Sequence, residues 1–210
     1  RASAQTGFRN PTTQDLFIGL DAGRALLVGS APDNLERYSN VFDVSTSGQG
    51  LLSLLSGGQP APTTLNQTGS AAYNNSFTMS SVGDFAASGG DPSKLLVANP
   101  DLVKPEQVTA FEVGYRGKFD NLIVDFSAYH NTYKDFISTE IVVAPLYGVV
   151  GEAAPAGLPL PVAALAIVNG DFTAYSAYTN SRAGITSYGA SIGLSTKVFS
   201  DFDLRRSYTY

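Results

Sequence analysis

Val108 to Asn131 reads VTAFEVGYRGKFDNLIVDFSAYHN, and the two series interleaved in it decide the fold. From Ala110 to Phe119 one set of alternate positions is Phe111, Val113, Tyr115, Gly117 and Phe119, and the other is Ala110, Glu112, Gly114, Arg116 and Lys118. Every charge falls in the second set. Successive side chains on a strand point to opposite faces, so this is a strand with one bulky apolar face and one small or charged face. Asp120-Asn121 follows, two residue types that tolerate positive φ and therefore suit a two-residue hairpin turn. The return strand sets Leu122, Val124, Phe126 and Ala128 against Ile123, Asp125, Ser127, Tyr129 and Asn131.

The pattern recurs near the end of the chain. Tyr188, Ala190, Ile192, Leu194, Thr196 and Val198 alternate with Gly189, Ser191, Gly193, Ser195 and Lys197, and Phe199-Ser200-Asp201 is read as a short turn. A last strand opens with Phe202, Leu204, Tyr208 and Tyr210 opposite Asp203, Arg205, Ser207 and Thr209. Arg206 breaks the rule by falling on the apolar side, a placement costly at mid-membrane and tolerable near an interface, where the side chain snorkels.

Such hairpins would also suit a soluble sandwich whose apolar face is core. The connections separate the two readings. Tight turns at Asp120-Asn121 and Ser200-Asp201 alternate with a Pro- and Ala-rich link from about Ile141 to Asp171 and a longer irregular stretch from about Thr12 to Lys104. Structureless connections of that length are out of place in a compact soluble domain. Outer-membrane barrels have short periplasmic turns at one rim and long extracellular loops at the other. Leu122 to about Glu140 is read as one strand, longer than the roughly 9–11 residues that cross a bilayer. Its upper part is expected to project beyond the membrane, with Tyr129, Tyr133 and Phe136 in an interfacial aromatic girdle or a strand extension.

Composition agrees. Only 15% of the 210 residues are charged, against about 25% in ordinary soluble proteins. Phe, Tyr and Gly are abundant while Cys and Trp are absent, which suits β-structure with one face in a less polar medium and excludes disulfides and thiolate metal sites. No apolar run is long enough for a transmembrane helix, so a membrane role requires a barrel. A net charge of −5 leaves no basic stripe for nucleic acid. The chain opens at Arg1 without a signal peptide and stops at Tyr210 inside an alternating segment, which predicts a piece of a longer protein.

Three motifs carry a family resemblance. Ala4 to Leu20, AQTGFRNPTTQDLFIGL, resembles the point at which a strand of a TonB-dependent outer-membrane receptor rises into an extracellular loop. Asn99 to Gly117, NPDLVKPEQVTAFEVGYRG, is similar to the element that opens the next strand, and Tyr129 to Ile137, YHNTYKDFI, to the end of the strand after it. The wording of the first motif looks most like receptors of Bacteroidetes-type bacteria. The resemblance implies the C-terminal portion of a transmembrane antiparallel β-barrel of about 22 strands in the bacterial outer membrane. It further implies a plug domain that is not in this chain, energy from a TonB-ExbB-ExbD complex, import of a scarce small ligand without chemical change, and room for a surface lipoprotein lid. About five strands are legible here, too few to close a barrel alone.

On this reading Phe111, Val113, Tyr115, Val124, Phe126, Ile192 and Leu194 face outer-membrane lipid. Glu112, Arg116, Lys118, Asp125 and Lys197 face the lumen, where they touch the plug or stand solvated. Gly114, Gly189 and Gly193 on that side leave room for a plug or ease sheet curvature. Arg9, Asn10, Gln14 and Asp15 either contact ligand at the rim or fix the loop base by hydrogen bonds. In the long loop, Tyr73, Asn74 and Phe77 offer stacking and amide groups to a ligand, and with Tyr38, Phe42, Asn75 and Phe85 they could equally pack the loop's own core. No catalytic arrangement, cofactor motif or metal-ligand cluster is present, and His130 alternates with the lipid-facing set. A passive porin and a soluble all-β adhesin or binding module are the rival readings.

Overall fold

A computed structural model describes residues 1–198 and 202–210; the turn expected at Phe199-Ser200-Asp201 lies outside the described residues. In chain order the elements are β1 (Ala2–Arg9), α1 (Thr13–Phe17), β2 (Gly19–Asp21), β3 (Leu26–Val28), α2 (Pro32–Arg37), β4 (Ser39–Asp43), α3 (Thr46–Leu55) and β5 (Thr64–Thr68). They continue with α4 (Ser70–Asn74), β6 (Phe77–Thr78), α5 (Met79–Ala87), β7 (Glu106–Phe119), β8 (Leu122–Lys134) and β9 (Ile137–Pro145). The last are α6 (Val162–Val168), β10 (Phe172–Asn180), β11 (Ile185–Val198) and β12 (Phe202–Thr209). The chain divides into two compact units: residues 1–10, 105–136 and 181–210, and residues 11–104 and 137–180.

The first unit is one antiparallel sheet in the order β1-β7-β8-β11-β12. Phe119 pairs with Leu122, so Asp120-Asn121 is the two-residue turn expected, and Asp120 takes the positive φ of 50° that such a turn requires. The register also shows which end each connection leaves from. Arg9 pairs with Glu106, Gln107 with Lys134 and Tyr133 with Ile185, so both long connections start and finish at the end opposite that turn.

The second unit corrects two expectations. Residues 12–104 and 141–171 are not irregular loops. They build a five-stranded sheet, β2-β3-β10-β9-β6, a two-stranded sheet, β4-β5, and six short helices. Nor is Leu122 to Glu140 one strand. β8 ends at Lys134, Asp135 turns the backbone at φ 54°, and β9 then pairs in the other sheet.

What holds this unit together is an exchange between its two segments. Buried Leu26, Val28, Leu35 and Tyr73 of the first segment pack with Val142, Ala144, Tyr175 and Ala177 of the second. On the other side of β9, Phe77 and Phe85 pack with Val143, Ala163, Ala164 and Ile167. β9 is therefore apolar at consecutive positions because both its faces are covered. At roughly 1.5–3 kcal/mol for each large side chain fully buried, neither segment retains its core without the other.

Candidate functional site

In the first unit, residues directly opposite each other in a register share a face. One middle row is Tyr115, Phe126, Ile192 and Tyr208. On the same face below it lie Gly117, Val124, Leu194 and Arg206, then Phe119, Leu122, Thr196 and Leu204. Above it come Val113 with Ala2, Ala128 and Ala190, then Phe111 with Ala4, His130 and Tyr188. The next row is four threonines, Thr6, Thr109, Thr132 and Thr186, and beyond it stand Phe8, Gln107 and Lys134. All seven residues expected to face lipid stand on this one face.

The opposite face holds Glu112, Arg116, Lys118, Asp125 and Lys197. Arg116 Nε lies 3.6 Å from an Asp125 carboxylate oxygen, an exposed pair that contributes little to stability. Ser127 and Ser191 share a 2.7 Å hydrogen bond one row further on. A groove of about 620 Å³ runs along this face past Arg1, Glu112, Gly114, Arg116, Asp125 and Tyr129.

Tyr129 and Tyr133 fall on the charged face, not with an aromatic girdle on the apolar one. Tyr129 pairs with Gly189, and its ring occupies the space where a Cβ on Gly189 would sit, at 2.7 Å. The glycine thus accommodates a tyrosine of the same sheet. Tyr133 instead makes an edge-to-face contact with Phe136, centroids 6.0 Å apart.

The two sequence motifs meet in register. Gly7, Phe8 and Arg9 pair with Val108, Gln107 and Glu106, and Arg9 Nη2 donates to the buried Glu106 carboxylate at 3.1 Å. Asn10 is exposed. Asp15 is only 7% exposed and caps α1: it accepts from the Thr12 amide at 2.8 Å while Thr12 Oγ1 accepts from the Asp15 amide. Gln14 donates to the Tyr178 hydroxyl at 3.0 Å.

Two candidate ligand residues of the second unit are core residues. Tyr73 and Phe77 are each 4% exposed, and the Tyr73 hydroxyl donates to the Tyr178 carbonyl at 2.7 Å. Burial pushes that phenol well above its ordinary range. Asn74 is exposed. Its neighbour Asn75 ties the segments together, donating to the Gly148 carbonyl and accepting from the Val150 amide.

A polar centre of this unit has no counterpart in the sequence reading. The buried Asp171 carboxylate accepts from the Ser45 amide at 2.7 Å, the Ser45 hydroxyl at 2.9 Å and the Tyr147 hydroxyl at 2.7 Å. Ser45 is the N-cap of α3, so Asp171 anchors the start of that helix from a segment more than a hundred residues away. Gly48 fits there because any Cβ would run into the Asp171 carboxylate. Burial, with Asp171 beside it, raises the Tyr147 phenol against the lowering effect of its Asn169 bond. Spacing could not have revealed a contact between residues so distant.

Among the described residues no three His, Cys, Asp or Glu converge on a point that could hold a metal ion. Among the described residues no helix is long and apolar enough to cross a membrane. No curated protein and no solved structure gives a significant match. The family model described as TonB dependent receptor-like, beta-barrel, matches residues 1–210, and the chain belongs to this family of outer-membrane receptors of Gram-negative bacteria.

Proposed function

We propose that this chain supplies wall strands and an external capture unit to an active importer. The apolar face of β1, β7, β8, β11 and β12 contacts outer-membrane lipid. The charged face lines the lumen, where Glu112, Arg116, Lys118, Asp125 and Lys197 stand toward the receptor's own plug domain. The observation that carries this is the register, which gathers Phe111, Val113, Tyr115, Val124, Phe126, Ile192 and Leu194 on one face and Glu112, Arg116, Lys118, Asp125 and Lys197 on the other.

The second unit stands at the cell exterior, because both its segments leave the wall at the end opposite the tight turn at Asp120-Asn121. Ligand binds there, is drawn inward when TonB-transmitted energy rearranges the plug, and leaves chemically unchanged. Arg9, Asn10, Gln14 and Asn74 are the expected binding residues still presented to solvent, whereas Asp15, Tyr73 and Phe77 serve the unit's own fold. The test uses the complete receptor. Its co-purifying ligand is identified by mass spectrometry, and uptake of that compound is compared in cells with and without TonB. Uptake that stops without TonB is expected, and uptake that continues unchanged identifies a passive pore and overturns the proposal.

A further inference from the structure

The sheet of the second unit ends in an unusual edge. β6 is its last named strand, and Val97 bridges β6 from outside by pairing antiparallel with Phe77. The two bonds of that bridge run from the Thr78 amide to the Leu96 carbonyl and from the Ala98 amide to the Ser76 carbonyl, both at 2.9 Å. In an antiparallel ladder this arrangement points the N–H and C=O of Val97 itself away from β6. Neither has a partner among the described residues. Leu96 and Val97 are also 59% and 48% exposed, high values for apolar side chains on a strand edge.

Beside this edge lies a slot of about 190 Å³, the size of one apolar side chain. Its walls include Phe77, Pro92, Leu95, Pro161, Ala163 and Ala164, with Val97 at the edge and exposed Glu152 as its one acidic residue. Phe77 and Val97 form a directly opposed pair and so share a sheet face. A strand added next to Val97 would place its own opposing side chain over the slot, with the residues two positions away on the same side and one of them toward Glu152.

We propose that this edge captures an extended peptide by strand addition, with an apolar side chain in the slot and a lysine or arginine two residues away paired with Glu152. Main-chain bonds to Val97 supply the affinity, and the slot and carboxylate supply the selection. The charge of the unit matches: eleven acidic residues stand against four basic ones in residues 11–104 and 137–180, a net −7, while the remainder of the chain is +2. Such a field draws cationic ligands and repels anionic ones. This inference rests on the proposed import function only in naming the peptide as cargo.

The probe is a short end-capped peptide with leucine at its centre, lysine two positions to either side and threonine between, labelled for fluorescence polarisation against the complete receptor in detergent. Binding is expected, weakened about tenfold or more when the amides facing Val97 are N-methylated, since the ladder bonds are then lost and the side chains kept. Glutamate in place of the lysines, or Glu152→Lys in the receptor, should weaken binding by a similar factor. Both Glu152 and Leu96 are exposed, so neither substitution threatens the fold. Leu96→Cys should crosslink a bromoacetyl form of the peptide that the unsubstituted receptor does not. Undiminished binding of the N-methylated peptide, indifference to Glu152→Lys or absence of crosslinking overturns the site. If the peptide binds there but is not accumulated while the co-purified ligand is, the cargo assignment falls and the import function stands. If the co-purified ligand enters without TonB, the import function falls and the peptide edge stands on its binding data.

Discussion

Replacing Phe126 by arginine tests the membrane assignment at its most sensitive point. Phe126 lies in the middle of five rows that are apolar but for Arg206 and His130, between Tyr115 and Ile192, with the threonine row above them. From Phe111 to Phe119 the strand advances eight residues, about 27 Å at roughly 3.4 Å per residue. A tilt of about 40° reduces this to roughly 21 Å of height, close to the apolar band of an outer-membrane barrel. The middle row then sits near the bilayer centre, where arginine costs about 2–4 kcal/mol, falling to about 0–1 kcal/mol at the border. Phe126→Arg should therefore be the most damaging, Phe111→Arg intermediate and Thr109→Arg nearly silent. Ser127→Arg, one residue away on the charged face, should cost less than Phe126→Arg. Denaturant titration of the receptor refolded into vesicles gives the energies, and the yield of assembled protein in the outer membrane gives the cellular consequence. A flat profile across the rows, or a Ser127→Arg penalty equal to that of Phe126→Arg, would refute the assignment of faces.

Asp171→Ala should leave the Ser45 and Tyr147 donors unpaired and destabilise the second unit by about 3 kcal/mol, read as faster hydrogen exchange across α3. Arg9→Ala should cost about 1–3 kcal/mol by leaving the buried Glu106 carboxylate without its arginine, and Arg9→Lys should restore part of it; equal stability of all three proteins would show the pair to be incidental. Protease added to intact cells should cut the exposed glycine turn at Gly57-Gly58 and spare the turn at Asp120-Asn121, and the reverse pattern would invert the topology. Replacing Ser30 to Ser93 alone by a short linker should unfold what remains of the second unit, because Val142, Ala144 and Tyr175 lose the residues that bury them. Replacing residues 11–104 and 137–180 together should leave an assembled wall that no longer binds ligand.

The wall was legible because a strand in a two-faced sheet writes its environment at every second residue. Val113 and Gly114, or Phe126 and Ser127, disclose their faces by parity alone, and Asp120-Asn121 marks its turn by chemistry. The second unit obeys no such local rule. β9 reads as a plain apolar run, VVAP from Val142 to Pro145, because both faces are covered there. Tyr73 and Phe77 carry the same residue types whether they bind a ligand or fill a core, and only their partners in β9 and β10 decide it. β3 pairs parallel with β10 across about 150 residues, a contact with no trace in spacing. The polar groups at the base of the first motif, Asp15 above all, were found as a cluster, although capping α1 was visible only once its backbone was placed.

The parallel pairing of β3 with β10 has a consequence for the order of events in assembly. β3 leaves the ribosome long before β10, and its sheet partners in the interval are confined to β2, a strand of three residues. Residues 11–104 must therefore wait, exposing Val28, Tyr73 and Phe77, until β9 and β10 arrive. If the unit stands outside the cell, both segments cross the membrane unfolded. The wait then falls in the periplasm, where a chaperone that shields apolar chain would be needed most by this receptor's first insertion.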